Sequence, residues 1–85
     1  MFYFAQLESR EDPEVIKVYL VSEANCKNDK GEFDEKIGIR YLMSLFRNSK
    51  TVWVQTYEDP NIRGPFAAPL DRYDFETERF IPRRL

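Results

Sequence analysis

The sequence predicts an α+β fold, a small antiparallel β-sheet with one helix packed on one face, and three observations carry that expectation. Thr51 to Tyr57 alternates, with Val52, Val54 and Thr56 on one side and Trp53, Gln55 and Tyr57 on the other. Ile39, Leu42, Met43 and Phe46 recur at i, i+3, i+4 and i+7, the stripe of an amphipathic helix. The remaining apolar runs are short, aromatic or β-branched, and bounded by polar, Pro- or Gly-containing stretches, as strands are.

In chain order, Phe2 to Leu7 reads as a strand and Glu8 to Glu14, all polar with Pro13, as a hairpin loop. Val15 to Val21 reads as a second strand, close enough in sequence to pair antiparallel with the first. Ser22 to Phe33 is a loop, with a helical turn at Glu23 to Cys26 and a turn around Gly31. Asp34 stands where a helix N-cap belongs and Glu35 in the dipole-favoured first turn, so a helix is expected over 35–47. Its stripe is expected to be buried with Val18, Leu20, Val52 and Val54. Pro60, Gly64, Pro65 and Pro69 make 58–70 a long loop after the Thr51 to Tyr57 strand. Arg72 to Phe75 and Arg79 to Ile81 flank Glu76-Thr77-Glu78 as a tight hairpin, and 82–85 is a short basic tail. The 85 residues form one domain in this reading, with no internal repeat.

Composition bounds what the chain can do. A domain of this size has little net stability from its own core, and small proteins add disulfides, a metal or a partner. Cys26 is the one cysteine and there is no histidine, so neither an internal disulfide nor a Cys/His zinc site is expected. The acidic stretch Asp29 to Glu35 lacks the pattern of a calcium-binding EF-hand loop. No metal and no cofactor is therefore expected, and a protein partner or further copies of the chain remain as the supplement. Seven Phe, five Tyr and one Trp leave two readings open: rings half-exposed at an interface, or simply a β-rich core. The net charge of −2 argues against general nucleic-acid binding. Residues 1–35 hold nine acids and four bases, residues 36–85 six acids and nine bases; such polarity suits head-to-tail docking or a solvated basic tail. No apolar run has the length of a membrane span, and the N-terminus lacks the form of a signal peptide, so synthesis in the cytoplasm is expected.

Catalytic chemistry is sparse. Without histidine the commonest general base is missing and Cys26 has no base to activate it. Gly31, Gly38 and Gly64 are too dispersed for a phosphate loop. Arg72-Tyr73 and Arg79-Phe80 could stack on single-stranded nucleic acid, but Asp71, Asp74, Glu76 and Glu78 beside them repel phosphate. These readings point to a protein that is not an enzyme.

Trp53-Val54-Gln55-Thr56, then Arg63-Gly64, Tyr73-Asp74 and Phe80-Ile81-Pro82 form a sequence of motifs, preceded by Phe4-Ala5-Gln6-Leu7 and Val21-Ser22-Glu23. With these the chain resembles a group of short proteins encoded by tailed phages of marine bacteria, especially cyanophages. In that group a WVQT strand leads to an Arg-Gly step, an aromatic glycine-rich segment and a YD…FIPP hairpin. This chain departs from it at Pro65-Phe66-Ala67-Ala68-Pro69-Leu70, where the group has glycines, and at Arg83, where it has a second proline. The resemblance implies a virion component: a small capsid decoration or cement protein, or else a tail, fibre or baseplate adaptor. A small inhibitor of a host enzyme is the alternative of a different class.

The expected docking element is the 60–70 loop. Ile62 and Phe66 are its apolar anchors and Arg63 its charged anchor, types common at hot spots. Arg83 and Arg84 add a basic tail to the same expected interface with other virion proteins. The competing reading of Ile62 and Phe66 folds them back as core.

Overall fold

The computed structural model describes residues 1–48 and 50–83. Strand β1 (Phe2–Leu7) is central, between β2 (Val15–Val21) and β3 (Val52–Thr56), and both pairings are antiparallel. Cross-strand partners across β1 are Tyr19 and Gln55 at Phe4, and Val18 and Val54 at Ala5. A second, two-stranded sheet is the hairpin of β4 (Arg72–Asp74) and β5 (Arg79–Ile81). Among the described residues one helix, α1 (Glu35–Leu45), and a 3-10 turn at Glu23–Cys26 complete the fold, so the expected α+β class holds. The five strands form two sheets of three and two rather than one continuous sheet.

A strand sends alternate side chains to opposite faces, and the two faces of this sheet are covered by different elements. On one face, Phe4, Val21 and Trp53 pack with Cys26 and Leu42, edged by Phe2, Tyr19, Ile39, Tyr41 and Phe46. This is the helix face. On the other, Ala5, Leu7, Val15 and Val54 pack with Ala67, Tyr73 and Phe80, edged by Val18, Val52 and Phe75. This is the hairpin face. Burying one such Phe or Leu contributes about 1.5–3 kcal/mol, and the sheet does so on both sides.

A β-bulge sets which residues go where. Gln6 pairs with Lys17 but Leu7 pairs with Val15, so Ile16 is the extra residue. Without it Val15 would share the side of Lys17 and Tyr19; with it Val15 joins Leu7 on the hairpin face.

The helix begins as expected: the Asp34 carboxylate accepts from the Lys36 N–H at 2.9 Å. It ends at Leu45, with the Phe46 N–H donating to the Leu42 carbonyl at 2.8 Å. Its line of closest approach runs through Gly38 and Leu42. A Cβ on Gly38 would lie 2.6 Å from the Phe4 ring and 2.9 Å from the Cys26 sulfur. Met43, expected in the core, is 55% exposed, because the packed face is centred on Gly38, a residue that adds nothing to an apolar pattern.

The expected partners of the helix are corrected in the same way. Val18, Val52 and Val54 lie on the hairpin face, away from α1, and Leu20 is 58% exposed. The aromatic residues Phe4, Tyr19 and Trp53 take the helix instead. Phe46 meets both the Tyr19 and Trp53 rings, with centroids 4.9 and 5.6 Å away.

Candidate functional site

The 58–70 loop does not project from the sheet. Its turn starts at Asp59, which accepts the Ile62 N–H on its carbonyl and the Asn61 N–H on its carboxylate. Arg63 (φ 60°) and Gly64 (φ 81°) then take left-handed conformations that reverse the chain. The Arg63 carbonyl accepts the Phe80 N–H at 2.8 Å, and a Cβ on Gly64 would stand 3.1 Å from the Phe80 carbonyl oxygen. Further on, the buried Ala67 donates its N–H to Thr56 Oγ1 at 2.9 Å. The Leu70 N–H donates to the Val15 carbonyl and the Val15 N–H to the Asp71 carbonyl, at 2.8 and 2.7 Å. The loop is thus fastened to β5, β3 and the start of β2 in turn.

Arg63, read from sequence as a charged interface anchor, has an internal role. Its guanidinium donates to both oxygens of Glu35, at 2.7 and 2.8 Å, and to the Gln55 carbonyl at 3.0 Å. Glu35 Oε2 also accepts the Gln55 N–H at 3.0 Å. β3 is an edge strand, and the ion pair thereby takes up the N–H and C=O that Gln55 directs outward, as a neighbouring strand would. Both side chains are about three-quarters buried, at 22% and 24% exposure, so the bidentate geometry counts for more than in a surface pair. Hydrogen bonding to Glu35 pushes the Arg63 guanidinium further up, and burial pushes the nearby Tyr57 phenol up.

Ile62 and Phe66 are 44% and 40% exposed, neither of them core. Phe66 stands edge-on to Tyr3, ring centroids 5.0 Å apart. The neighbouring Glu58 carboxylate raises the Tyr3 phenol pKa. Tyr3 is paired across the sheet with Leu20 on β2 and Thr56 on β3. Leu20, Tyr3 and Phe66 therefore form a half-exposed apolar row on the hairpin face, at the end that β4 and β5 leave uncovered. Tyr3, Glu58 and Phe66 line an open depression there. The sequence reading found Phe66 but missed Leu20, which looked like core inside an aliphatic run, and Tyr3.

The exposed Arg83 has its backbone N–H fastened to Asp71 Oδ1 at 3.0 Å. Arg84 lies outside the described residues. The polarity of the sequence is partly used inside the molecule, where Arg72 meets Asp12 at 2.9 Å and Arg63 meets Glu35. Family models, curated proteins and solved structures give no match to this chain.

The other reactive groups are enclosed. Cys26 is fully buried and burial pushes its thiol up, away from the reactive thiolate. Among the described residues no group of three or more His, Cys, Asp or Glu is placed to hold a metal ion, and no helix is long and apolar enough to cross a membrane. The indole N–H of Trp53 is buried without a hydrogen-bond partner, a cost of about 1–3 kcal/mol that the surrounding ring contacts offset.

Proposed function

We propose that this protein is a structural component of a bacteriophage virion, a small capsid decoration or cement protein that acts through protein–protein contacts and catalyses no reaction. The observation that carries the reading is the apolar row of Leu20, Tyr3 and Phe66. It lies on a rigid sheet and is flanked by a loop fastened along its length, so little conformational entropy is lost when a partner covers it. An aromatic pair in a half-open depression, with a carboxylate at its rim, has the make-up of an interface anchor. The motifs shared with the tailed-phage proteins support the virion context. Against catalysis, both oxygens of Glu35 are engaged by Arg63 and the thiol of Cys26 is enclosed.

The docking element is therefore Phe66 and its neighbours on the sheet, with Ile62 at the margin, while Arg63 holds the loop that presents them. The experiment is quantitative mass spectrometry of purified particles made with wild-type and Phe66→Ala protein. The wild type is expected at a copy number matching the capsid lattice. Phe66→Ala is expected to be depleted from particles while its unfolding free energy falls by only about 1 kcal/mol, as for a half-exposed ring. A low wild-type copy number would move the protein to the tail, and its absence from particles would sink the virion reading.

A further inference from the structure

We infer that the outer edge of β2 is a self-association site, where a second copy of this chain adds its own β2 antiparallel to make one continuous six-stranded sheet. β2 is an edge strand, and no backbone hydrogen bond from outside the sheet reaches 16–21 among the described residues. Because Gln55 directs its N–H and C=O away from β1, β1 bonds β3 through Tyr3, Ala5 and Leu7. By the same alternation β1 bonds β2 through Phe2, Phe4 and Gln6, and their partners are Val21, Tyr19 and Lys17. Val18 and Leu20 are then the residues whose N–H and C=O point outward, and Leu20 is the most exposed apolar side chain of the strand.

The two edge strands differ in how they are finished. β3 has the Glu35–Arg63 clasp over Gln55, whereas the open part of β2 has no such device. The usual protections of an edge are a bulge and a charge. Here the bulge is at Ile16, at one end, and the Lys17 ammonium is folded over the Tyr19 ring, 5.1 Å from its centre, on the helix face. Among the described residues, Val18 and Leu20 keep their outward ladder groups free.

The choice of a second copy rests on register. The 70–71 segment already bonds Val15, so the N-terminal end of β2 is taken and the two-fold axis must lie toward the C-terminal end. An axis at Leu20 pairs Leu20 with Leu20 of the second copy, Val18 with Ser22, and Lys17 with Glu23. Ser22 is still extended, at φ −67° and ψ 153°, with its carbonyl accepting the Asn25 N–H at 3.1 Å, and Glu23, the first residue of the 3-10 turn, is 61% exposed and meets the Met1 ammonium at 3.6 Å. Leu20, Val18 and Ser22 share one face; Glu23 lies past the pleated stretch, and its exposed carboxylate would exchange the Met1 ammonium for Lys17 of the second copy, so charge favours this register. An axis at Tyr19 sets Lys17 against Val21, and one at Val18 collides with the docked 70–71 segment. The contact is isologous and closes at two copies, so it does not propagate into a fibre. It extends the docking reading above, since Tyr3 lies beside Leu20 and a dimer would carry two rows side by side, but it stands without any particle.

Sedimentation of the full chain over a concentration series, up to about 1 mM, tests it. A monomer–dimer equilibrium is expected. Leu20→Lys, which sets two ammonium groups on the axis, should leave only monomer with an unchanged circular dichroism spectrum. Lys17→Glu should raise the dissociation constant by roughly tenfold or more, and adding Glu23→Lys should restore it. A wild type that stays monomeric throughout, a dimer that survives Leu20→Lys, or a charge swap that fails to recover would each overturn the proposal. Phe66 is off the β2 edge, so Phe66→Ala should still dimerise. A monomeric wild type that is nonetheless incorporated into particles would remove the dimer and leave the docking reading in place.

Discussion

The helix face and the hairpin face of the same sheet are closed by different means. On the helix face α1, with the 3-10 turn beside it, covers large aromatic residues, and close approach at Gly38 seats Leu42 among Phe4, Cys26 and Trp53. On the hairpin face small and branched residues, Ala5, Val15, Val54 and Ala67, are covered by two short strands and a returning loop. Those two strands seal one end and leave Leu20, Tyr3 and Phe66 half in solvent at the other. The lesson is that a helix can seal a three-stranded sheet by its length, whereas a three-residue hairpin can seal only part of it. The uncovered remainder is where binding is expected.

The contrast is sharpest in large-to-small substitutions. Phe4 is fully enclosed, and Phe4→Ala should cost about 3–5 kcal/mol, enough to unfold much of the population of so small a domain. Urea denaturation measures it. A loss near that of the half-exposed Phe66 would break the distinction between sealed and open regions.

Arg63→Ala tests what fastens the two faces together, since the clasp joins the start of α1 to β3 and to the loop on β5. Removal leaves a largely buried carboxylate with the Gln55 N–H alone. The expected loss is about 2–3 kcal/mol, below that of a fully buried pair because some solvent reaches both groups. Arg63→Lys should recover only part of it, since an ammonium cannot make the bidentate contact. If thermal melts of all three proteins coincide, the clasp is a surface pair of no consequence.

The smallest expected effect is alkaline. Burial raises the phenols of Tyr57 and Tyr73 above the ordinary 10.0, so the fold favours their neutral forms. That stabilisation is complete below 10.0 and is lost as pH rises through the folded-state values. Unfolding free energy should therefore begin to decline as pH passes 10.0 and go on declining until the buried phenols themselves ionise. Tyr73→Phe should flatten the decline, and an unchanged slope would mean that the hairpin face is open to solvent at Tyr73 as well.

Much of the fold was legible because it is local. Asp34 as the cap, the turn at Glu23–Cys26 and the alternation of Val52 to Thr56 each follow from neighbours a few residues apart. The candidate site was legible only in part. Phe66 was marked by composition, but the contact that sets it against Tyr3 crosses sixty-odd residues of chain, and no local pattern encodes such a distance.

By itself, the sequence determined the kinds of element, their order, and the want of disulfide or histidine chemistry, since backbone propensity and side-chain type act over one or two turns of chain. Only the tertiary structure decided which way each face looks. The bulge at Ile16 moved Val15 to the hairpin face, and Gly38 drew the helix onto Phe4 and left Met43 outside. Arg63 turned inward because Glu35 and the unpaired groups of an edge strand met it there. Each of these outcomes depends on which surfaces come together, and burial and charge pairing act on distance in space rather than on distance along the chain.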